Sequence, residues 1–319
     1  MKKTPIALVA ALVIALMLPG TPATAATMDI EPTSSFAWLD GHATDVEFDP
    51  AGRMWVWNSA YDPGLSHGQQ TNIFTQDSDG TWDHSFRFRL KKHDSFEVAF
   101  AMDGTVFSTD VRCTLQIAKL KASGAVKSHK KIKFKRSFCP YLAKPIDGTK
   151  VVVVSSDQIR EYKLPFTSRS KPKRTIRYGL NDFRDVVVGP DGAVYLAVGD
   201  ETNQSVHVFL PTQSGLAQSA RNFEIHSDYS PRAIQGMSFT REGDLALKMG
   251  SSVAVFPTTT VGANQVPDSY YQFDEAPFNL MGDVGFDSSG LMVITEYGHE
   301  LPVRVFFGSE CPRSAQAIC

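Results

Sequence analysis

The stretch Asp45–Asn58, DVEFDPAGRMWVWN, alternates apolar and polar residues up to Phe48, turns at 49–52, and resumes with Met54, Trp55 and Val56. Nearly the same stretch returns at Asp283–Glu296 as DVGFDSSGLMVITE. Alternation with period two argues a half-buried strand, and a glycine tolerant of positive φ argues a tight turn into a second strand. Aligned on that glycine, the unit recurs at Gly52, Gly104, Gly148, Gly192, Gly243 and Gly290, 44 to 52 residues apart. Two further strands fill each unit, as VHVFL and RNFEI after Gly192, or VAVFP and SYYQF after Gly243. Four strands per unit, six times over, is the pattern of an all-β, six-bladed β-propeller.

The two ends of the chain indicate how the ring closes. The last unit has DVGF, LMVIT and VRVFF but no fourth strand, whereas SFAWL (Ser35–Leu39) precedes the first unit as RNFEI and SYYQF precede later ones. The expectation is an N-terminal strand that supplies the outer strand of blade six. Before it, Lys2 and Lys3, the apolar run Ile6–Leu18 and a small-residue site ending at Ala25 form a secretory signal peptide, too short to span a membrane. Cleavage after Ala25 leaves one domain, residues 26–319, secreted or periplasmic, with no transmembrane segment.

All four cysteines lie in that exported part, and an even count favours bridges. The repeat puts Cys113 and Cys139 on one face of blade two, so they are expected to pair. Cys311 and Cys319 then close a short C-terminal loop.

In such a ring the residue seven places before each turn glycine opens the innermost strand at the channel mouth. Those residues are Asp45, Glu97, Tyr141, Asp185, Gly236 and Asp283. Four carboxylates at one opening repel one another, which a cation, a basic neighbour, raised pKa values or water must relieve. On one reading Asp45, Glu97, Asp185 and Asp283 hold a hard cation, Ca2+ or Mg2+. On the other, each carboxylate caps its turn by accepting backbone N–H groups. Tyr141, Arg184 and the Glu296 and His299 of TEYGHELP would complete the rim, Arg184 being the nearest base in sequence. No GxSxG elbow, phosphate loop, dinucleotide fingerprint or zinc framework is present, so nucleophilic serine or cysteine catalysis has no support.

The recurring apolar-x-apolar-Asp-x-x-Gly motif resembles the six-bladed propellers of the NHL-repeat and gluconolactonase-like group over essentially the whole mature chain. That resemblance implies a binding module for a small molecule, carbohydrate or protein, or a metal-dependent lactonase or lyase. Gluconolactonase-like members place a divalent cation at the mouth with a Glu, an Asn and an Asp from different blades. This chain departs from that set: it lacks the Glu-Gly-Pro start and supplies no obvious Asn.

Charge is unevenly spread. The whole chain carries −2, but Arg112–Tyr178 holds 18 Lys and Arg against three Asp and Glu, a local balance of +15. Lys130, Lys131, Lys171 and Lys173 mark this basic flank, which the repeat puts on the outer strands and opposite-face loops of blades two and three. A solvated strand edge that resists aggregation explains it in one way, an anionic envelope polymer or membrane surface in another. Nothing points to specific nucleic-acid binding. The sequence therefore reads as an exported propeller that binds a ligand or partner at its mouth. The alternatives are a divalent-metal-dependent hydrolase, lactonase or lyase, and a structural envelope protein.

Overall fold

The computed structural model describes residues 25, 27–29, 32, 34–36, 42–59, 70–88, 95–110, 112–121, 123–180, 183–199, 203–229, 232–273, 282–296 and 303–306. The leader up to residue 24, residues 37–39 of the expected closing strand, His299, Cys311 and Cys319 lie outside them. Two short strands, β1 (Thr27–Asp29) and β2 (Ser34–Phe36), precede the repeats.

Blade one is β3 (His42–Phe48), β4 (Met54–Ser59), β5 (Gln70–Gln76) and β6 (Trp82–Phe88). Blade two is β7 (Ser95–Phe100), β8 (Val106–Asp110), β9 (Thr114–Leu120) and β10 (Val126–Lys133). Blade three is β11 (Pro140–Ile146), β12 (Lys150–Ser155), β13 (Gln158–Lys163) and β14 (Arg174–Arg177). Blade four is β15 (Phe183–Val188), β16 (Val194–Gly199), β17 (Gln204–Phe209) and, after the two-residue β18 (Gly215–Leu216), β19 (Arg221–Ile225). Blade five is β20 (Gly236–Phe239), β21 (Leu245–Met249), β22 (Ser252–Phe256) and, after β23 (Gly262–Gln265), β24 (Ser269–Gln272). Blade six has β25 (Val284–Phe286), β26 (Met292–Thr295) and β27 (Val303–Phe306). Each set forms its own antiparallel sheet, and the only described helix is a 3-10 turn at Ser227–Tyr229.

The ring closes as the sequence indicates. β2 pairs antiparallel with β27, Ser35 opposite Arg304, and so becomes the outer strand of blade six. Three blades also gain a fifth, parallel outer strand that the repeat does not reveal: β18 on β14, β23 on β19, and β1 on β24.

All six turn glycines have positive φ, between 70° and 93°, which explains their recurrence. Alternation on the strands then serves two interfaces at once. In blade three Val151 and Val153 pack with Phe107, Leu115 and Ile132 of blade two, while Val152 and Val154 pack with Val186, Leu196 and Phe209 of blade four. Six such clusters occupy the six blade junctions, and the last joins Val293 and Val305 of blade six to Val46 and Val56 of blade one. Burial of both faces is why these strands read as nearly unbroken apolar runs.

The Cys113–Cys139 disulfide is present, joining the β8–β9 turn to the segment that enters blade three. Among the described residues no helix is long and apolar enough to cross a membrane. Ala25, the residue before the expected cleavage point, packs against the cluster between blades four and five.

Candidate functional site: the acidic channel mouth

The six innermost strands follow one another around the ring, each neighbouring the next, with β25 returning to β3. In blades one to four the pairing of the first two strands slips at the mouth residue: between Ala43 and Asp45, Ser95 and Val98, Pro140 and Leu142, and Phe183 and Asp185. A bulge re-aims the side chain beside it, and here bulges sit at Asp45, Glu97, Tyr141 and Asp185, near the starts of their strands. Blades five and six pair regularly, with Gly236 opening β20 and Asp283 immediately preceding β25.

Gly236 is the reason Asp283 fits. A Cβ on Gly236 would stand 1.9 Å from Asp283 Oδ1 and 2.6 Å from its Cα, so the carboxyl occupies the space a side chain would take. The Asp283 backbone is held by Thr295, whose Oγ1 accepts from Asp283 N at 2.9 Å and whose N donates to Asp283 O at 3.0 Å.

The mouth carboxyls interact across blades. Val46 N donates to Asp283 Oδ2 at 3.4 Å, and repulsion from Asp45 adds to the burial that raises the Asp283 carboxyl. Asp45 Oδ2 and Asp283 Oδ1 are buried and receive no N–H or O–H donor. Burial raises Asp45 to about 6 and Asp185 to about 7. Burial also holds Glu97 and Asp283 well above the usual carboxylate range, reinforced by repulsion from Asp45 and Asp185. Glu47, two residues along β3, is raised by burial as well and adds to the field on Glu97 and Asp185.

The turn-capping explanation applies to other aspartates. Asp49 Oδ1 accepts from Ala51 N and Arg53 N, and Asp287 Oδ1 from Ser289 N and Leu291 N. Asp103, Asp147 and Asp191 cap in the same way. Among the mouth carboxylates Asp185 accepts from its own neighbour, Val186 N, at 2.7 Å.

The bases that temper the mouth are not the one nearest in sequence. Arg184 is exposed, and its Nε donates to Gly199 O at 2.7 Å. Lys144 instead lowers Glu47 and Glu97, and Lys248 faces Asp283 and Glu296. Lys248 is fully buried, donating to Gln235 Oε1 at 2.6 Å and Gly250 O at 3.0 Å, and burial lowers its pKa to about 8. Both are visible as breaks in the repeat. Lys144 stands where the other units have Phe48, Phe100, Val188, Phe239 and Phe286, and Lys248 where they have Trp57, Thr109, Val153, Ala197 and Thr295.

Glu296 belongs to a buried ion pair with Arg304, whose guanidinium also lies 4.8 Å over the Phe273 ring. It is not an open rim residue. Tyr141 is stacked on Phe183 with ring centroids 5.0 Å apart, beside an open groove that also includes Asp157 and Tyr178. Among the described residues no three His, Cys, Asp or Glu side chains converge as a ready-made metal cluster.

No protein-family model and no curated protein matches the chain. Among solved structures it is similar to the WD40 β-propeller domain of Doa1, at 14% identity over 88% of this chain and 97% of that one, with a TM-score of 0.55. It is also similar to the Dos1 propeller, at 10% identity over 88% of each chain, TM-score 0.49. At such identities the likeness speaks only to fold, and the Doa1 match agrees with the six sheets: the chain is a six-bladed β-propeller.

Proposed function

We propose that the protein is an exported propeller that binds a positively charged ligand at its channel mouth, in first place Ca2+ or Mg2+. The observation that carries this reading is the Asp45–Asp283 pair: two half-buried carboxyls from the first and last blades, each with one buried oxygen that no donor reaches among the described residues. A cation would offset the charge of the two carboxylates, and oxygen-only donors suit a hard ion. Asp45 and Asp283 would form its nucleus, with Glu97 of the adjoining blade two and Asp185 of blade four drawn in or bridged by water. Without a ligand the same groups relieve their repulsion by holding protons, so cation binding and proton release are linked.

The gluconolactonase-like resemblance supports a second reading, a metal-dependent hydrolase, lactonase or lyase. The bound ion would polarise a substrate carbonyl. The Asp45–Asp283 pair would hold or release a proton beside it, and the Tyr141–Phe183 stack would seat an apolar or sugar ring.

A ligand that binds only the folded state raises stability by about 2.7 kcal/mol at a hundredfold excess over Kd. For a domain of this size that is a rise in melting temperature of roughly 5 °C. Millimolar calcium or magnesium should produce it, chelation should reverse it, and Asp283→Asn should abolish it while leaving the ring folded. Purified protein that contains no metal, and whose melting ignores calcium, magnesium and chelator alike, would overturn the reading.

A further inference from the structure

We propose that the outer edge of blade two and the adjoining underside of blade three form a docking track for a linear polyanion, separate from the acidic mouth. β10 is the outermost strand of its sheet, and seven of its eight residues are exposed. Its register sets His129, Lys131 and Lys133 opposite Ala118, Gln116 and Thr114. Ala118 packs into the junction with blade one, so these three residues share the face turned that way. Residues on one face of a strand repeat every ~6.8 Å, so Lys131 and Lys133 begin a row of positive charge along this edge. Lys135 and Arg136, both exposed, extend the row.

The other face of β10 ties this row to a second group. Ile132 is buried against blade three, and Lys130 Nζ donates at 2.5 Å to Phe166 O, in the segment linking β13 to β14. That segment carries Arg169, Lys171 and Lys173, all exposed. Beside it Lys150, Lys163 and Lys173 line a groove of about 240 Å³ with Thr149 and Glu161. Lys150 and Lys163 lie directly opposite each other across β12 and β13, a placement of like charges that weakens a sheet. Glu161 does not relieve them fully, because Arg174 holds it at 3.1 Å.

Protection of an open edge does not account for this concentration. Among the described residues the edges of blades one and six also pair with no further strand, yet β6 is WDHSFRF and β2 is SSF, with one basic side chain other than histidine between them. A row that runs along a rim and continues into a groove suits a chain with one fixed negative charge per monomer better than a flat bilayer.

The test uses the mature chain with heparin and inorganic polyphosphate as polyanion probes and phosphatidylglycerol vesicles as the membrane arm. With three or four contacts and a polymer charged like single-stranded nucleic acid, affinity should fall about 20-fold or more between 50 and 200 mM salt. Lys131→Glu/Lys133→Glu and Lys163→Glu/Lys173→Glu should each weaken polyanion binding about tenfold or more, on the same principle. The charge-matched Arg232→Glu/Arg241→Glu, in blade five, should leave it within about twofold. Melting curves check that all three variants fold. The proposal is overturned if the control loses as much as the track variants, if wild type and variants bind equally, if neither probe binds at 50 mM salt, or if only the vesicles are bound.

Discussion

The charges buried where blades five, six and one meet differ from those along blade two in the medium that surrounds them. Arg304 and Glu296 are almost wholly shielded, Lys248 is fully buried, and Asp283 leans on Asp45. In that setting a charge exists only by virtue of a partner, and removing the partner leaves a costly ion behind. Lys127, Lys131 and Lys133 project into water and cost little to hold apart. The same repeat produces both, because strand starts face the channel and fourth strands face solvent. A buried charge is thus part of the stability of this ring, whereas an exposed one is free to serve recognition.

The largest effect expected from this contrast concerns edges. Blade two tolerates an open edge because lysines line it, but the β27 edge beneath β2 carries Val303, Val305 and Phe306, all buried. Deleting Ser34–Phe36 should cost the protein its monomeric state and its cooperative melting, since an unpaired apolar edge invites aggregation. A truncated protein that runs as a monomer on a sizing column with an unchanged melting curve would refute closure by this strand.

Next in size, Arg304→Met should destabilise by about 3–5 kcal/mol in urea titrations, because it removes the counter-charge with which the buried Glu296 is ion-paired. Arg304→Met/Glu296→Leu should recover most of that loss. Lys131→Met/Lys133→Met should stay within about 0.5 kcal/mol of wild type. If the two single-region variants cost the same, the distinction between buried and exposed charge fails.

The smallest expected effect is on pH dependence. Asp45 and Asp185 have folded pKa values of about 6 and 7, above the unfolded carboxylate value. Their contribution to stability is therefore complete below the unfolded value near 3.9 and is lost as pH rises through 6 and 7. Lys248 is lowered to about 8, so its contribution is present above its unfolded value and is lost as pH falls through 8. The melting temperature should fall from pH 5 to 7 and recover above pH 8. Asp185→Asn should flatten the acid limb, and a profile identical to wild type would show that Asp185 ionises without penalty.

Much of this was legible in the sequence because it rests on local chemistry repeated six times. Turn glycines, alternating strands, the missing fourth strand and the Cys113–Cys139 pair all follow from one alignment. The fifth strands were not legible, since GL at β18 and GANQ at β23 carry no apolar alternation and pair through loop geometry. At the mouth the positions of the four carboxylates could be read, but the bulges beside Asp45, Glu97 and Asp185 leave no pattern. Arg184 was adjacent in sequence yet bonds Gly199 O instead, while Lys144 and Lys248 could have been found as breaks in the repeat. Glu296 resembles a loop residue until Arg304, from the next strand, is brought beside it.

β1 and β2 fall within ten residues of each other, yet they complete blades five and six, the last to be synthesised. Ser34 must wait for Val305, 271 residues later, before it has a neighbour. Closing a loop of that length costs about 5 kcal/mol of chain entropy, the largest such cost in this ring. Until that contact forms, the beginning of the chain is an unpaired strand in search of an edge. A cell that makes this protein must therefore keep its first strands from pairing with one another, or with a second copy, until the final blade emerges.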